Sequence, residues 1–305
     1  MQDIIIIGGG PSGLSAALYG ARAGKDTILF ERMFVGGQMA TTSMIENYPG
    51  VQSISGIELA LSMENQAKSF GAKFLYEEVL SVELDKINKI VKTNNSTYMA
   101  KTVILAMGAS PQELGVPGEK ELRGMGVSYC ATCDGAFFRD KVTVVVGGGN
   151  TALEDAIFLS GICKKVYLIH RRDSFRAEAI LQEKVSATEN IEIIINSTVE
   201  EIKGTKHVEN IVLKNIKTNK NTTINIDGIF IGIGTKPNSE LIKGIIEITN
   251  NNYIYTDNNM QTNLFGVYAA GDVREKMTRQ VVTASADGAA ATQSAIRYIN
   301  EHQWS

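Results

Sequence analysis

Two cysteines, Cys130 and Cys133, stand two residues apart and are followed at once by Asp134. Sulfurs at that spacing close a small, strained ring that is readily reduced and re-formed, and a turn or helix start there would lower one thiol pKa. The same spacing is half of a zinc site. Cys163 is the one further cysteine, however, and His170, His207 and His302 show no paired ligand spacing, which favours redox chemistry over metal. Asp134 can donate and recover protons as thiol and thiolate interchange; its competing role is a helix or turn cap. Cys163, in Gly161-Ile162-Cys163 at the end of a helical pattern, reads as a small buried hydrophobe.

A cycling dithiol needs a source of electrons, and the glycine turns offer places to hold one. Asp3 to Ile7 is a short apolar run, followed by Gly8-Gly9-Gly10-Pro11-Ser12-Gly13 and then by small and apolar residues at helical spacing from Leu14 to Ala23. That is strand, glycine turn, helix. A second strand, Thr27 to Phe30, ends in Glu31, whose carboxylate can accept ribose hydroxyls, with Arg32 beside it at the same site. The unit then repeats. Val142 to Val146 leads into Gly147-Gly148-Gly149-Asn150-Thr151-Ala152, a helical pattern to about Leu159, and a strand, Val166 to Ile169, ending in His170-Arg171-Arg172. The first glycine and the strand tip are 23 residues apart in both copies, near the ~20 of a dinucleotide fingerprint.

One such turn could serve packing alone; two, each with its strand, helix and tip residue, point to two nucleotide sites. The tips differ in charge. Glu31 would repel a 2′-phosphate and suits the free ribose diol of FAD or NAD. His170, Arg171 and Arg172, with Arg176 one helical turn further on, offer cationic donors for the 2′-phosphate of NADPH, the bland alternative being a solvated charged surface.

Near the carboxyl end, Val267 to Ala270 reads as a strand running into Gly271-Asp272, ahead of a small-residue helix from about Val281 to Asn300 with Arg279 and Gln280 at its start. Such a helix end can approach a flavin or a pyrophosphate, unless it is only a packing element. Lys86 to Tyr98 and Lys206 to Ile226 read as polar hairpin excursions without chemistry. With no low-complexity linker, the crossovers fall near Ser110 to Val116 and Thr235 to Glu240. The expected fold is α/β, with two Rossmann-like, three-layer nucleotide-binding domains. Residues 113–240 form an NADPH domain, carrying the dithiol, inserted into a discontinuous FAD domain of residues 1–112 and 241–305.

Composition narrows the partners. The 305 residues carry a net charge of -3 without blocks of like charge, so neither nucleic acid nor anionic lipid is expected as a partner. No apolar run approaches the ~18 residues of a spanning helix, and the amino end lacks a basic start, so a soluble, cytoplasmic protein without a membrane partner is expected.

Taken in order, Gly8 to Gly13, Gly36-Gly37-Gln38, Glu46-Asn47-Tyr48-Pro49-Gly50, Cys130 to Gly135, Gly147 to Ala152, His170-Arg171-Arg172 with Arg176, and Ala270-Gly271-Asp272 with Arg279-Gln280 resemble the bacterial low-molecular-weight thioredoxin reductases over essentially the whole chain. The resemblance implies a homodimer in which NADPH reduces FAD, FAD reduces a Cys130–Cys133 disulfide, and the dithiol reduces oxidised thioredoxin. It also implies that Cys133 lies nearer the flavin, that Cys130 attacks the partner, and that Asp134 is acid and base. Gly36, Gln38, Asn47, Gly108, Asp272, Arg279, Gln280 and Val281 would contact FAD. Met125 stands where some relatives carry a basic residue, which alters charge-guided docking; Phe137 and Phe138 are either an apolar contact for the partner or core.

Two alternatives remain at this level: a related flavin disulfide reductase fed by ferredoxin or serving another redoxin or a peroxidase, and a flavin-binding redox sensor. Because nicotinamide and dithiol would share one domain yet both need the flavin, the inserted domain is expected to rotate on its crossovers.

Overall fold

The computed structural model describes every residue except Ser43 and Ser305. It divides into two compact units, one made of Met1–Ser110 with the chain from Lys236 onward, the other of Pro111–Thr235.

Strand β1 (Gln2–Ile7) shows why the first unit has three layers. Side chains alternate along a strand, so Ile4 and Ile6 enter one core while Ile5 and Ile7 enter a second on the opposite face of the sheet. Helix α1 (Pro11–Arg22) begins on a proline, whose missing amide would be unpaired there in any case. After β2 (Thr27–Phe30), helix α2 (Gly56–Ser69) is started by a reciprocal cap between Ser55 and Glu58. Strands β3 (Lys73–Leu75), β4 (Val79–Glu83), β5 (Lys89–Thr93) and β6 (Thr97–Leu105) complete a sheet of order β3-β2-β1-β6-β5-β4. Its β3-β2-β1-β6 part is parallel, and its β6-β5-β4 part is an antiparallel meander. The chain then leaves through β7 (Ala109–Pro111).

The second unit repeats the plan. It contains β8 (Val127–Ser128), α3 (Ala131–Asp134), β9 (Val142–Gly147), α4 (Asn150–Ser160), β10 (Lys165–Ile169), α5 (Ala179–Ala187) and β11 (Ile191–Ile194). Then follow β12 (Ser197–Lys203), β13 (Asn210–Asn215), β14 (Asn221–Asn225) and β15 (Gly228–Gly232). The parallel sheet runs β11-β10-β9-β15-β8. Helix α4 covers one face through Ala152, Leu153, Ala156 and Leu159. The antiparallel β12-β13-β14 sheet covers the other through Val199, Ile202, Ile211 and Leu213.

The two stretches expected to be polar hairpin excursions are hairpins, and they also close the cores. Lys86 to Tyr98 contributes Val91, and Lys206 to Ile226 contributes Ile211 and Leu213, all buried. Their polar composition reflects the alternate residues, which face water.

Strand β16 (Thr235–Pro237) pairs with β7, so the two crossovers form one small sheet. The division after Ser110 and Thr235 falls within these paired strands, slightly ahead of the expected boundaries after 112 and 240. Back in the first unit, β17 (Val267–Ala269) runs parallel to β6, and α6 (Val281–Glu301) packs along α1. The helices touch at backbone distance: a Cβ on Gly288 would overlap the Ser12 carbonyl oxygen, and the Thr292 hydroxyl, 2.9 Å from Gly288 O on its own helix, also lies 3.2 Å from Ala16 O across the crossing. Gly288→Ala is expected to lower stability by roughly 1–3 kcal/mol through overpacking, seen as a lower melting temperature. A rise, as helix propensity alone would give, contradicts the close contact.

Candidate active site and nucleotide sites

Cys130 and Cys133 are joined in a disulfide with their Cα atoms 5.3 Å apart. Both are half-buried, Cys130 capping the short helix α3 and Cys133 lying within it. The Thr132 hydroxyl lies 3.4 Å from the Cys130 sulfur. Asp134 does not cap its helix with its side chain. Its Oδ2 accepts the Ser128 hydroxyl at 2.6 Å, while Oδ1 is buried without a partner. Burial pushes this carboxyl above the ordinary aspartate range, and the Ser128 hydrogen bond partly opposes the shift. Asp134 thus places a partly desolvated carboxyl directly after the disulfide in sequence. Cys163 is a buried free thiol, as its small-hydrophobe reading expected, and burial raises its pKa.

Two positioning groups around the dithiol were not singled out in the sequence. Ser128 lies at the end of β8 and also accepts the Cys130 amide at 3.1 Å. Glu119 is buried, and its carboxylate accepts the amides of Leu114 and Gly115 at 2.8 and 2.7 Å and the Tyr129 hydroxyl at 2.8 Å. A serine and a glutamate carry no periodic or spacing signal that would mark them. Of the two phenylalanines, Phe138 is core, edge-on to Phe230, and Phe137 is exposed.

The first glycine turn is built for close approach. A Cβ on Gly13 would overlap the Gly8 carbonyl, one on Gly8 would meet Ala106 O, and no side chain caps the amides opening α1 after Gly10. Pro11 and Ser12 start that helix, and Ser12 is buried against Gly271. Glu31, at the tip of β2, accepts the Gly9 amide at 2.8 Å and those of Arg32 and Met33 at 2.7 and 3.3 Å. Arg32 is exposed and pairs loosely with Glu78.

Other predicted members gather here. The Gly36 amide donates to Gly9 O at 2.7 Å, bringing Gly36, Gly37 and Gln38 to the turn, and Asn47 donates to the Gln280 side chain at 3.2 Å. Gly108 has a positive φ and accepts the amide of Asn238 at 3.0 Å, a residue the sequence did not flag. Asp272 and Arg279 each bury an unpartnered polar atom, Oδ1 and Nε, and the Arg279 guanidinium lies 4.3 Å from the Tyr253 ring centre. Burial raises the Asp272 carboxyl against the pull of Lys276 and Arg279. Val281 opens α6. Asp287, also unflagged, accepts the Gly271 amide at 3.0 Å and Lys276 at 2.8 Å, fixing the Gly-Asp turn.

In the second unit a Cβ on Gly147 would overlap Gly232 O, and the amides opening α4 after Gly149 lack a side-chain cap. Asn150 is bonded in both directions to Glu178, Thr151 is exposed, and Ala152 is core, packed on Gly147 and Gly232. Arg171, Arg172 and Arg176 are exposed, and the Arg176 amide donates to Gly148 O at 2.8 Å, folding the arginine loop back onto the turn. His170 differs from its expected role. It is buried against Gly148 and Phe175, and burial, with the three arginines, holds its pKa below the usual histidine range. Its Nε2 is buried without a partner among the described residues.

Uncapped helix amides over glycine turns, with buried unpartnered polar atoms at Asp272 and Arg279, fit bound nucleotides. The fold and site define a class: a two-unit α/β oxidoreductase with a redox disulfide. The family model for pyridine nucleotide-disulphide oxidoreductases matches residues 2–288, and the chain belongs to that family. Membership implies flavin and nicotinamide cofactors.

The chain is 48% identical over 306 residues to the thioredoxin reductase of Peptoclostridium acidaminophilum, covering 98% of this chain and 97% of that one. The crystal structure of thioredoxin reductase from Streptococcus pyogenes has a TM-score of 0.94 at 44% identity, with 99% of each chain covered. That of the Lactococcus lactis enzyme, in an FR conformation, has a TM-score of 0.70 at 41% identity, covering 99% of this chain and 100% of that one.

Thiol counting checks the disulfide directly. The unfolded, unreduced protein is expected to show one reactive thiol, Cys163, and three after reduction. Three before reduction would remove the closed pair.

Proposed function

We propose that the protein is an NADPH-dependent thioredoxin-disulfide reductase, with FAD in the first unit, NADPH in the second and Cys130–Cys133 as its working disulfide. The observation that carries the proposal is a closed disulfide beside a desolvated acid, in the unit whose glycine turn is flanked by exposed arginines. Full-length likeness to thioredoxin reductases supports it.

Gly8, Gly10, Pro11, Ser12 and Gly13 would hold the FAD pyrophosphate, and Glu31 with Arg32 its ribose. Gly36, Gly37, Gln38, Asn47, Gly108, Gly271, Asp272, Arg279, Gln280 and Val281 would border the rest. Gly147, Gly149, Asn150 and Thr151 would receive NADPH, with Ala152 and His170 shaping the turn and Arg171, Arg172 and Arg176 binding the 2′-phosphate. When bound, the cofactors supply one electron pair, taken as hydride from the nicotinamide and passed through the flavin to the disulfide.

The chain's own residues do the rest. The Cys130 thiolate attacks one sulfur of the partner's disulfide, forming a mixed disulfide and expelling a partner thiolate. The Cys133 thiolate then attacks the Cys130 sulfur, closing the Cys130–Cys133 bond and expelling the second partner thiolate. Two electrons pass to the partner. Asp134, whose carboxyl burial raises above the ordinary aspartate range, would give a proton to sulfur as the pair opens and recover it as the pair closes. Exposed Phe137 would contact the partner. A second copy would cover the apolar side chains Tyr19, Ile57, Leu61 and Phe70 that α1, α2 and the residue after α2 leave exposed. Rotation on the crossovers would let nicotinamide and dithiol reach the flavin in turn. No described helix is long and apolar enough to cross a membrane, and a reducing dithiol suits the cytoplasm.

Anaerobic, NADPH-driven thiol release from oxidised thioredoxin is expected from the parent and absent from Cys133→Ser. No release by the parent would move the donor to ferredoxin or the acceptor to another redoxin or a peroxidase. Neutralising Arg171 and Arg172 together is expected to weaken NADPH at least tenfold while leaving NADH nearly unchanged, consistent with about 1.5–3 kcal/mol for a hydrogen bond to a charged group. Equal losses would remove the 2′-phosphate assignment.

A further inference from the structure

We infer that Ser128 is a positioning residue for the acid of this site: its hydroxyl fixes the Asp134 carboxyl with one oxygen free and ties it to the backbone of Cys130. The inference deepens the proposed function and rests on Asp134 being the acid.

Three observations carry it. Ser128 is buried at the end of β8, so water does not compete for its hydroxyl. A hydroxyl has one proton, and the distances show where it goes: 2.6 Å to Asp134 Oδ2 against 3.3 Å to Cys130 O. The same oxygen accepts the Cys130 amide at 3.1 Å. One side chain therefore bonds the acid and one sulfur-bearing residue together. Among the described residues it is the carboxyl's one hydrogen-bond partner, and Oδ1 is left buried and unpaired, available to a sulfur that becomes charged.

The surroundings supply no charge that does this instead. Helix α4, packed on α3, carries Glu154 and Asp155, the latter pushed up to about 7 by burial and then by Glu154. The turn Gly135–Phe138 has no ionisable group, and Arg139 and Asp140 beyond it are exposed. Next to Cys130, Tyr129 donates to Glu119 and lies under Arg123.

A hydroxyl bonded to a carboxylate favours the charged form, so Ser128 acts against burial. Removing it raises the acid's pKa further, and an acid that must be protonated then works to higher pH. The test is the pH profile of kcat/KM for thioredoxin reduction by the FAD-loaded enzyme and its Ser128→Ala, Ser128→Thr and Asp134→Asn variants.

The alkaline limb is expected to vanish in Asp134→Asn, to move up by about one pH unit in Ser128→Ala, and to return towards the parent position in Ser128→Thr. A limb that survives Asp134→Asn sinks the acid assignment. A limb lost there but unmoved in Ser128→Ala overturns the role of Ser128 alone, even if overall activity falls. Should Ser128→Ala not fold, Ser128→Thr decides: retention of the parent limb supports the inference, and a shift as large as one unit overturns it.

Discussion

The architecture depends on one contact made by the two ends of the chain. Helix α6 reaches α1 closely enough for the Thr292 hydroxyl to lie 3.2 Å from the carbonyl oxygen of Ala16, 276 residues earlier in sequence, at a crossing where Gly288 admits the Ser12 carbonyl. Strand β17 joins β6 beside it. Closing so long a loop is tolerable because loop entropy grows only logarithmically with length and because the insertion folds on its own cores. Its two ends leave and return as the paired strands β7 and β16. The contact also brings Gly271 against Ser12, so the nucleotide turn of the amino end and the Gly-Asp turn of the carboxyl end become one site.

Which parts were legible in the sequence follows from where the physical signal lies. A strand, a glycine turn that excludes Cβ atoms and a helix leave a local pattern, and both copies lie where that pattern put them. The cysteine pair was legible for the same reason. Polarity misled where one face of a strand is wet, as in the β12-β13-β14 layer. At His170 the sequence did not show the burial against Gly148 that lowers its pKa. Ser128, Glu119, Asn238 and Asp287 were silent because each acts through a tertiary contact that spacing does not encode.

The two sites use buried carboxyl groups in opposite ways. Asp287 pairs with Lys276 and Arg274 and fixes the backbone at Gly271. Asp134 has, among the described residues, a hydroxyl as its one side-chain partner, and burial raises its carboxyl, which suits the proton-moving role proposed for it. A cation in place of Ser128 would hold Asp134 ionised and remove the acid.

The same clamps bear on where the proposed rotation can flex. The sequence allotted the whole of Ser110 to Val116 to the first crossover. Glu119, however, fastens the amides of Leu114 and Gly115 and, through Tyr129, the residue before Cys130. Dihedral change in that segment would break charge-assisted bonds made by a buried carboxylate, which is expensive to leave unpaired. The carboxyl-terminal half of the crossover therefore belongs mechanically to the dithiol. In the proposed rotation, bending would fall to the few residues between β7 and Leu114 and to β16 opposite. A short hinge of this kind would then carry the dithiol and Asp134 as one body and keep the Cys130, Ser128 and Asp134 geometry.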